Sequence, residues 1–178
     1  MIHPGKNEMD RNGGSLMKAG SNNPDTQTEG SLQGAGWSAP EKPVTISKVE
    51  IETLPVTRAF LPRKRLIEER GELALIEDGM PMHHLGYFSL VAGQGFRGGH
   101  YHEKKTEHFY IIAGVLRLEL QDIDSGRSTV VHLKGGQKAV IQPRCAHRFS
   151  AQETAQVIEY YEGVYDKEDD HPHRFESP

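Results

Sequence analysis

Two histidines one residue apart, His100 and His102, are followed by Glu107 after a polar stretch, and His147 lies behind the turn Gln142-Pro143-Arg144-Cys145-Ala146. Imidazole and carboxylate are donors that divalent transition metals accept. In an extended strand alternate residues project to one face, so His100 and His102 emerge together with Cα atoms roughly 6.6 Å apart. Metal–nitrogen bonds of about 2.1 Å then require the rings to converge, which suits a concave wall. Glu107 heads an otherwise apolar row of Glu107, Phe109, Ile111 and Ala113, where a buried carboxylate is costly unless something compensates its charge. His147 shares a face with Phe149. Spacing along the chain does not bring it to the other three, whereas closure of a barrel would. By itself, a His-x-His pair is more often a pair of surface or hydrogen-bonded histidines than a pair of metal ligands, and adding Glu107 and His147 brings the two readings level.

The elements that must position these residues read as strands. Short runs rich in β-branched and aromatic residues occupy 44–51, 72–77, 85–91, 107–113, 115–121, 128–133, 138–141, 147–151 and 157–165, divided by Gly, Asp, Ser or Pro. Only residues 63–70 read as a helix, with Leu66 and Ile67 set among charges. Many short strands and almost no helix predict an all-β sandwich or barrel. Residues 1–43 are Gly, Asn, Ser, Gln and Pro with few large apolar side chains, too little to offset the entropy of ordering, so a disordered tail is expected ahead of one domain over 44–178. Gly93, Gly95, Gly98 and Gly99 lead into a strand, which sets aside a dinucleotide-binding fingerprint.

A balance of 21 Lys+Arg against 25 Asp+Glu, net −4, with no long basic block, lacks the footprint of a nucleic-acid or membrane-surface binder and points to a small-molecule partner. The single Cys145 cannot form an internal disulfide, and residues 1–10 hold no apolar run after a basic start, so a cytoplasmic location is expected. The longest apolar run, about residues 110–116 and broken by Gly114, is too short to span a bilayer.

The stretch His100-x-His102-x4-Glu107-x6-Gly114 resembles the first cupin motif, and Gly136-x5-Gln142-Pro143-Arg144-x2-His147-x3-Ala151 resembles the second. Gln142 stands where the family has Pro, Arg144 where it has Gly and Ala151 where it has Asn, and the leading glycine of the first motif falls at Gly93 or Gly95, one residue off. None of these is a ligand position. Arg144 in place of glycine implies a turn that avoids positive φ or tolerates it at some cost. The resemblance implies a double-stranded β-helix, the jelly-roll barrel of cupins, in which His100, His102, Glu107 and His147 hold one divalent transition metal such as Zn, Mn, Fe, Ni or Co. Three imidazoles and one carboxylate leave one or two coordination positions open for chemistry.

A further likeness concerns activity. Gly71-Glu72-Leu73-Ala74-Leu75-Ile76-Glu77 followed by Arg97-Gly98-Gly99-His100-Tyr101-His102 is similar to small cupins that isomerise or epimerise nucleotide-linked deoxy-keto-sugars. Lys105-x-Glu107-x-Phe109 and Glu162-Gly163-Val164-Tyr165-Asp166 resemble the metal-binding cupin domain of capsular-polysaccharide UDP-sugar epimerase-reductases. These likenesses imply proton abstraction beside a ketone, with the metal as Lewis acid and a base of tuned pKa. Alternation puts Ile158, Tyr160, Glu162 and Val164 on one face, making Tyr160 and Glu162 the candidate donor and base; a core aromatic and a rim charge are the other reading. Arg97 is either a phosphate clamp, since its planar fork matches phosphate oxygens, or a solvated rim residue. His83 and His84 read as turn histidines. The same fold also accommodates an iron-dependent dioxygenase or a non-catalytic sugar-binding module. Cupins usually pair, so a homodimer is expected from the resemblance, with the strand near 44–51 available to lie across a neighbour.

Overall fold

The computed structural model describes residues 46–176. The tail expected over 1–43 lies outside them, as do the two ends of the expected domain. Within that range the chain runs β1 (Val49–Thr53), β2 (Lys64–Glu68), β3 (Gly71–Leu75), β4 (His84–Leu90), β5 (Phe96–Tyr101), β6 (Glu107–Asp122), β7 (Ser128–Lys134), β8 (Gln137–Ile141), β9 (Cys145–Tyr161), a single 3-10 turn (Lys167–Asp169) and β10 (His171–Pro172). The architecture is the all-β cupin barrel that the motifs imply.

β6 and β9 form its spine. They pair antiparallel from His108↔Tyr160 to Asp122↔Cys145, with register shifts around Ala113 and Val115. One end of β6 also pairs with β8 and the other with β7. β9 takes β4 along its second half and β5 along its first. Sequence patterning divides each long strand in two, and the structure joins the halves across a bend. Gly114 makes the bend possible: its φ is +83°, and a Cβ there would lie 2.3 Å from the Thr154 carbonyl oxygen. Across the bend the inward row of β6 changes parity, from Glu107, Phe109 and Ile111 to Leu116, Leu118 and Leu120, all buried. Ala113, expected to continue the first row, is exposed instead.

The core joins these residues to Phe88, Leu133, Ile141, Phe149 and Val157. Each fully buried Leu or Ile contributes about 2 kcal/mol by leaving water. Ile46 and Val49 add to the same core, and β1 pairs antiparallel with β8 of its own chain, Val49↔Ile141 through Thr53↔Gln137.

The segment 63–70, expected to be helical, is instead β2 and the turn of a hairpin with β3. Leu66 pairs with Leu73 across that hairpin, and Arg65 reaches Glu72 at 2.6 Å. Two adjacent apolar residues give no helical stripe but serve opposite faces of a strand, and a cross-strand partner decides the matter.

Candidate metal centre

The four candidate ligands converge on one point of the barrel interior. Their donor atoms all lie within 4.8 Å of one another. His102, Glu107 and His147 are buried and His100 is half-buried. Topology brings them together. β5 pairs with β9 so that His100 stands opposite His147, and the loop after β5 carries His102 to the start of β6, where Glu107 sits.

A bulge sets the aim of this pairing. Phe96, Arg97 and Gly98 pair with Ser150, Phe149 and Arg148, after which the register slips so that His100 meets His147. The extra residue falls at Gly98-Gly99, both with positive φ, +78° and +86°. Because the slip changes parity, Arg97 and His100, three residues apart, both line the same cavity.

All three imidazoles are anchored through Nδ1. His100 Nδ1 is 2.8 Å from Asp170 Oδ1, His102 Nδ1 is 2.5 Å from the Asp169 carbonyl oxygen, and His147 Nδ1 is 3.3 Å from the Cys145 carbonyl oxygen. An Nδ1–H donated to an oxygen leaves Nε2 with its lone pair facing inward. There, His102 Nε2 lies 3.1 Å from Glu107 Oε1 and His147 Nε2 lies 3.2 Å from Glu107 Oε2.

Electrostatics prepare the same donors. Burial, reinforced by the charge of His147, pushes His100 down to about 4, so its ring is neutral at neutral pH. Burial also lowers His147. Burial works to raise Glu107, but His147, His102 and Lys105 outweigh it and hold the carboxyl far below its ordinary range. The Lys105 ammonium is 3.0 Å from Glu107 Oε1. His102 moves the other way: burial lowers it, yet the adjacent Glu107 carboxylate raises it overall.

These residues fit a divalent cation on evidence internal to the fold. His102 Nε2 and Glu107 Oε2 are buried and lack a hydrogen-bond partner, despite lying close to opposite charge. Each such orphan costs about 1–3 kcal/mol, and a cation between them would satisfy both. Three imidazoles and one carboxylate suit the first-row metals from Mn to Zn.

The surrounding cavity, about 250 Å³, is lined further by His84, Arg97, Lys105, Glu159 and Tyr161. Arg97 lines this cavity, with its guanidinium 5.3 Å from the centre of the Phe88 ring. Tyr160 and Glu162 are not brought to this cavity. The Tyr160 hydroxyl lies 3.4 Å from Glu77 Oε2 and its ring stacks on His108, on the other face of the sheet. Glu162 faces a separate surface pocket with Lys104 and His108. The inward row of β9 that starts at His147 and Phe149 continues through Val157 to Glu159 and Tyr161, so the cavity receives a Glu and a Tyr from the alternate positions of the strand.

Sequence patterning does not single out Glu159, Tyr161 or His84. Burial raises the Glu159 carboxyl above its ordinary range and pushes Tyr161 up to about 12. The Tyr161 hydroxyl is buried without a hydrogen-bond partner, while His84 stacks on its ring at 4.1 Å and Lys105 Nζ sits 4.4 Å from the ring centre.

The model of the family described as polysaccharide biosynthesis C-terminal domain matches residues 68–171, a span that contains the whole cluster. The chain belongs to that family. No curated protein matches the sequence significantly. Among solved structures, this polysaccharide biosynthesis C-terminal domain is similar to ChmJ, a 3'-monoepimerase from Streptomyces bikiniensis (14% identity, 73% of this chain and 71% of that one, TM-score 0.60). It is also similar to the WlaRB TDP-quinovose 3,4-ketoisomerase from Campylobacter jejuni (15% identity, 72% and 95%, TM-score 0.58). A third is the QdtA 3,4-ketoisomerase from Thermoanaerobacterium thermosaccharolyticum (16% identity, 70% and 87%, TM-score 0.55). At these identities the likeness shows the fold, and it bears out the resemblance to epimerase and isomerase cupins read from the motifs. Among the described residues, no helix is long and apolar enough to cross a membrane.

Proposed function

We propose that this domain binds one divalent transition metal through His100, His102, Glu107 and His147, and that it isomerises or epimerises a nucleotide-linked keto-sugar in polysaccharide biosynthesis. The observation that carries this reading is the sharing of one cavity by a metal-competent cluster and by Glu159 and Tyr161. The family and the fold add support, since solved proteins of this shape are described in complex with TDP, TDP-4-keto-6-deoxyglucose or dTDP-4-keto-L-rhamnose.

When bound, the metal would supply Lewis-acid polarisation of the ketone oxygen, acidifying the adjacent C–H. The chain's own groups handle the proton. Glu159, with its carboxyl raised by burial, is the base that takes the proton from the carbon beside the ketone. A proton then returns to the former carbonyl carbon, which moves the ketone, or to the opposite face of the same carbon, which inverts it. Tyr161, whose hydroxyl has no other partner, donates to the oxygen on which negative charge gathers. Both lie on one strand, two residues apart, so they meet the sugar from one wall. Arg97 at the mouth pairs with the diphosphate, leaving the sugar to enter the cavity.

The test is exchange. Metal-loaded protein incubated in D2O with TDP- and UDP-linked 4-keto-6-deoxyhexoses should place deuterium at a carbon beside the ketone and build up an isomer, followed by NMR. Binding of these nucleotides without any exchange would instead support a sugar-binding module. Oxygen uptake by the iron-loaded protein would support a dioxygenase.

A further inference from the structure

The chain beyond β9 returns to the cluster and grips it. The Asp166 carboxylate caps the 3-10 turn by accepting from the Glu168 N–H at 3.0 Å. Asp169, buried at its end, accepts from the N–H groups of Glu103 and Lys104 at 2.9 and 3.3 Å, in the loop that joins His102 to Glu107. Its main-chain carbonyl takes the His102 Nδ1–H, and the next side chain, Asp170, takes that of His100. β10 then pairs along β5, His171↔Tyr101 and Pro172↔His100, and the His173 N–H donates to the Gly99 carbonyl at 2.7 Å. The His171 ring stacks on Tyr101, 5.1 Å between centres.

We propose that residues 166–173 form a clip that sets the tautomer and ring orientation of two ligands, with Asp170 positioning His100 and Asp169 positioning His102 and the 103–104 loop. The inference rests on the metal-binding reading above and extends it to residues outside the ligand set, of which Asp170 also borders the cavity. An imidazole free to rotate or to change tautomer loses the geometry of a shared site, and a carboxylate on its far nitrogen also makes it a stronger donor. Asp170 supplies both effects to His100, the most exposed of the four candidate ligands. The Asp169 carboxylate satisfies two main-chain N–H groups of the loop between His102 and Glu107, a loop that Arg144 also holds through the Glu103 carboxylate.

The test uses Co2+ as the probe on the full chain, with affinity measured by chelator competition and geometry by the visible spectrum. Asp170→Ala should weaken Co2+ by about 10–100-fold and change the spectrum, while leaving the metal-free melting curve in place. Asp170→Asn, whose amide oxygen still accepts the Nδ1–H, should recover much of that loss. Asp169→Ala should also weaken Co2+. Wild-type affinity and spectrum in Asp170→Ala, with binding lost in His102→Ala, would overturn the clip and leave the metal site standing. A lowered melting temperature with unchanged affinity would likewise overturn it, as a merely structural role. If the wild-type chain takes up no Co2+, the metal reading itself fails and the clip falls with it.

Discussion

His100 meets His147 across β5 and β9 because the register slips by one residue at Gly98-Gly99. Without that slip, the parity of β5 would direct either Arg97 or His100 away from the cavity, and the site would lose the proposed phosphate clamp or a candidate ligand. A Cβ at Gly98 would lie 2.6 Å from the His147 carbonyl oxygen, at a φ of +78°.

Gly98→Ala should therefore strain the backbone and press on a ligand strand. We expect a loss of about 1–3 kcal/mol in urea denaturation together with weaker metal binding. Substitution at Gly126, which has a similar φ but no neighbour within 4 Å, should cost stability without touching the metal.

The proposed proton-handling wall separates neighbours along β9. Glu159→Gln and Tyr161→Phe should each lower turnover of a keto-sugar nucleotide by about 10²–10⁴-fold while leaving metal content unchanged. Tyr160→Phe and Glu162→Gln, which face elsewhere, should leave turnover within a few-fold. Steady-state kinetics on the four variants checks the assignment.

On the other face of the sheet, Lys138 is 2% exposed and is ion-paired with Glu77. Burial acts to raise the Glu77 carboxyl, but the Lys138 bond and charge outweigh it and hold it low. Glu77→Ala strands a buried ammonium and should cost about 3 kcal/mol in chemical denaturation. The double variant Glu77→Ala/Lys138→Met should regain much of that loss.

Acid sensitivity should have one source outside the candidate ligand set. The Lys48 ammonium at 2.6 Å, then the Ser125 hydroxyl, draw Asp122 down to about 2 from its ordinary 3.8. A depressed carboxyl contributes stability above its unfolded pKa and loses it as pH falls through the folded one. The melting temperature should therefore fall between about pH 4 and pH 2, and Asp122→Asn should flatten that slope while lowering stability at neutral pH.

What was legible in the sequence depended on how local its cause was. His100, His102 and Glu107 lie within one strand, a loop and the next strand, and their spacing carries the motif. His147 needed the barrel that the strand pattern implied. The β2–β3 hairpin was hidden because Leu66 and Ile67 show no period until Leu73 and Glu72 stand opposite them. Tyr160 and Glu162 become candidates only through the apolar neighbours Ile158 and Val164, whereas the alternation that begins at His147 and Phe149 leads to Glu159 and Tyr161. His84, Asp169 and Asp170 carried no signal of their own, since pairings such as His84↔Tyr161 and Pro172↔His100 join segments about 70 or more residues apart. Arg144, where the resemblance has glycine, does adopt a φ of +61°. Its side chain reaches Glu103 and Asp124, both at 2.7 Å, and its N–H donates to the His102 carbonyl at 2.6 Å, so the strained turn is tied to the ligand loop.

The most direct measurement is the metal content of the chain purified without a metal-binding tag, by mass spectrometry, beside His102→Ala and Glu107→Ala. The account predicts about one equivalent of a divalent transition metal per wild-type chain, and none in either variant. A wild-type chain that carries no metal and takes none up on titration would contradict it.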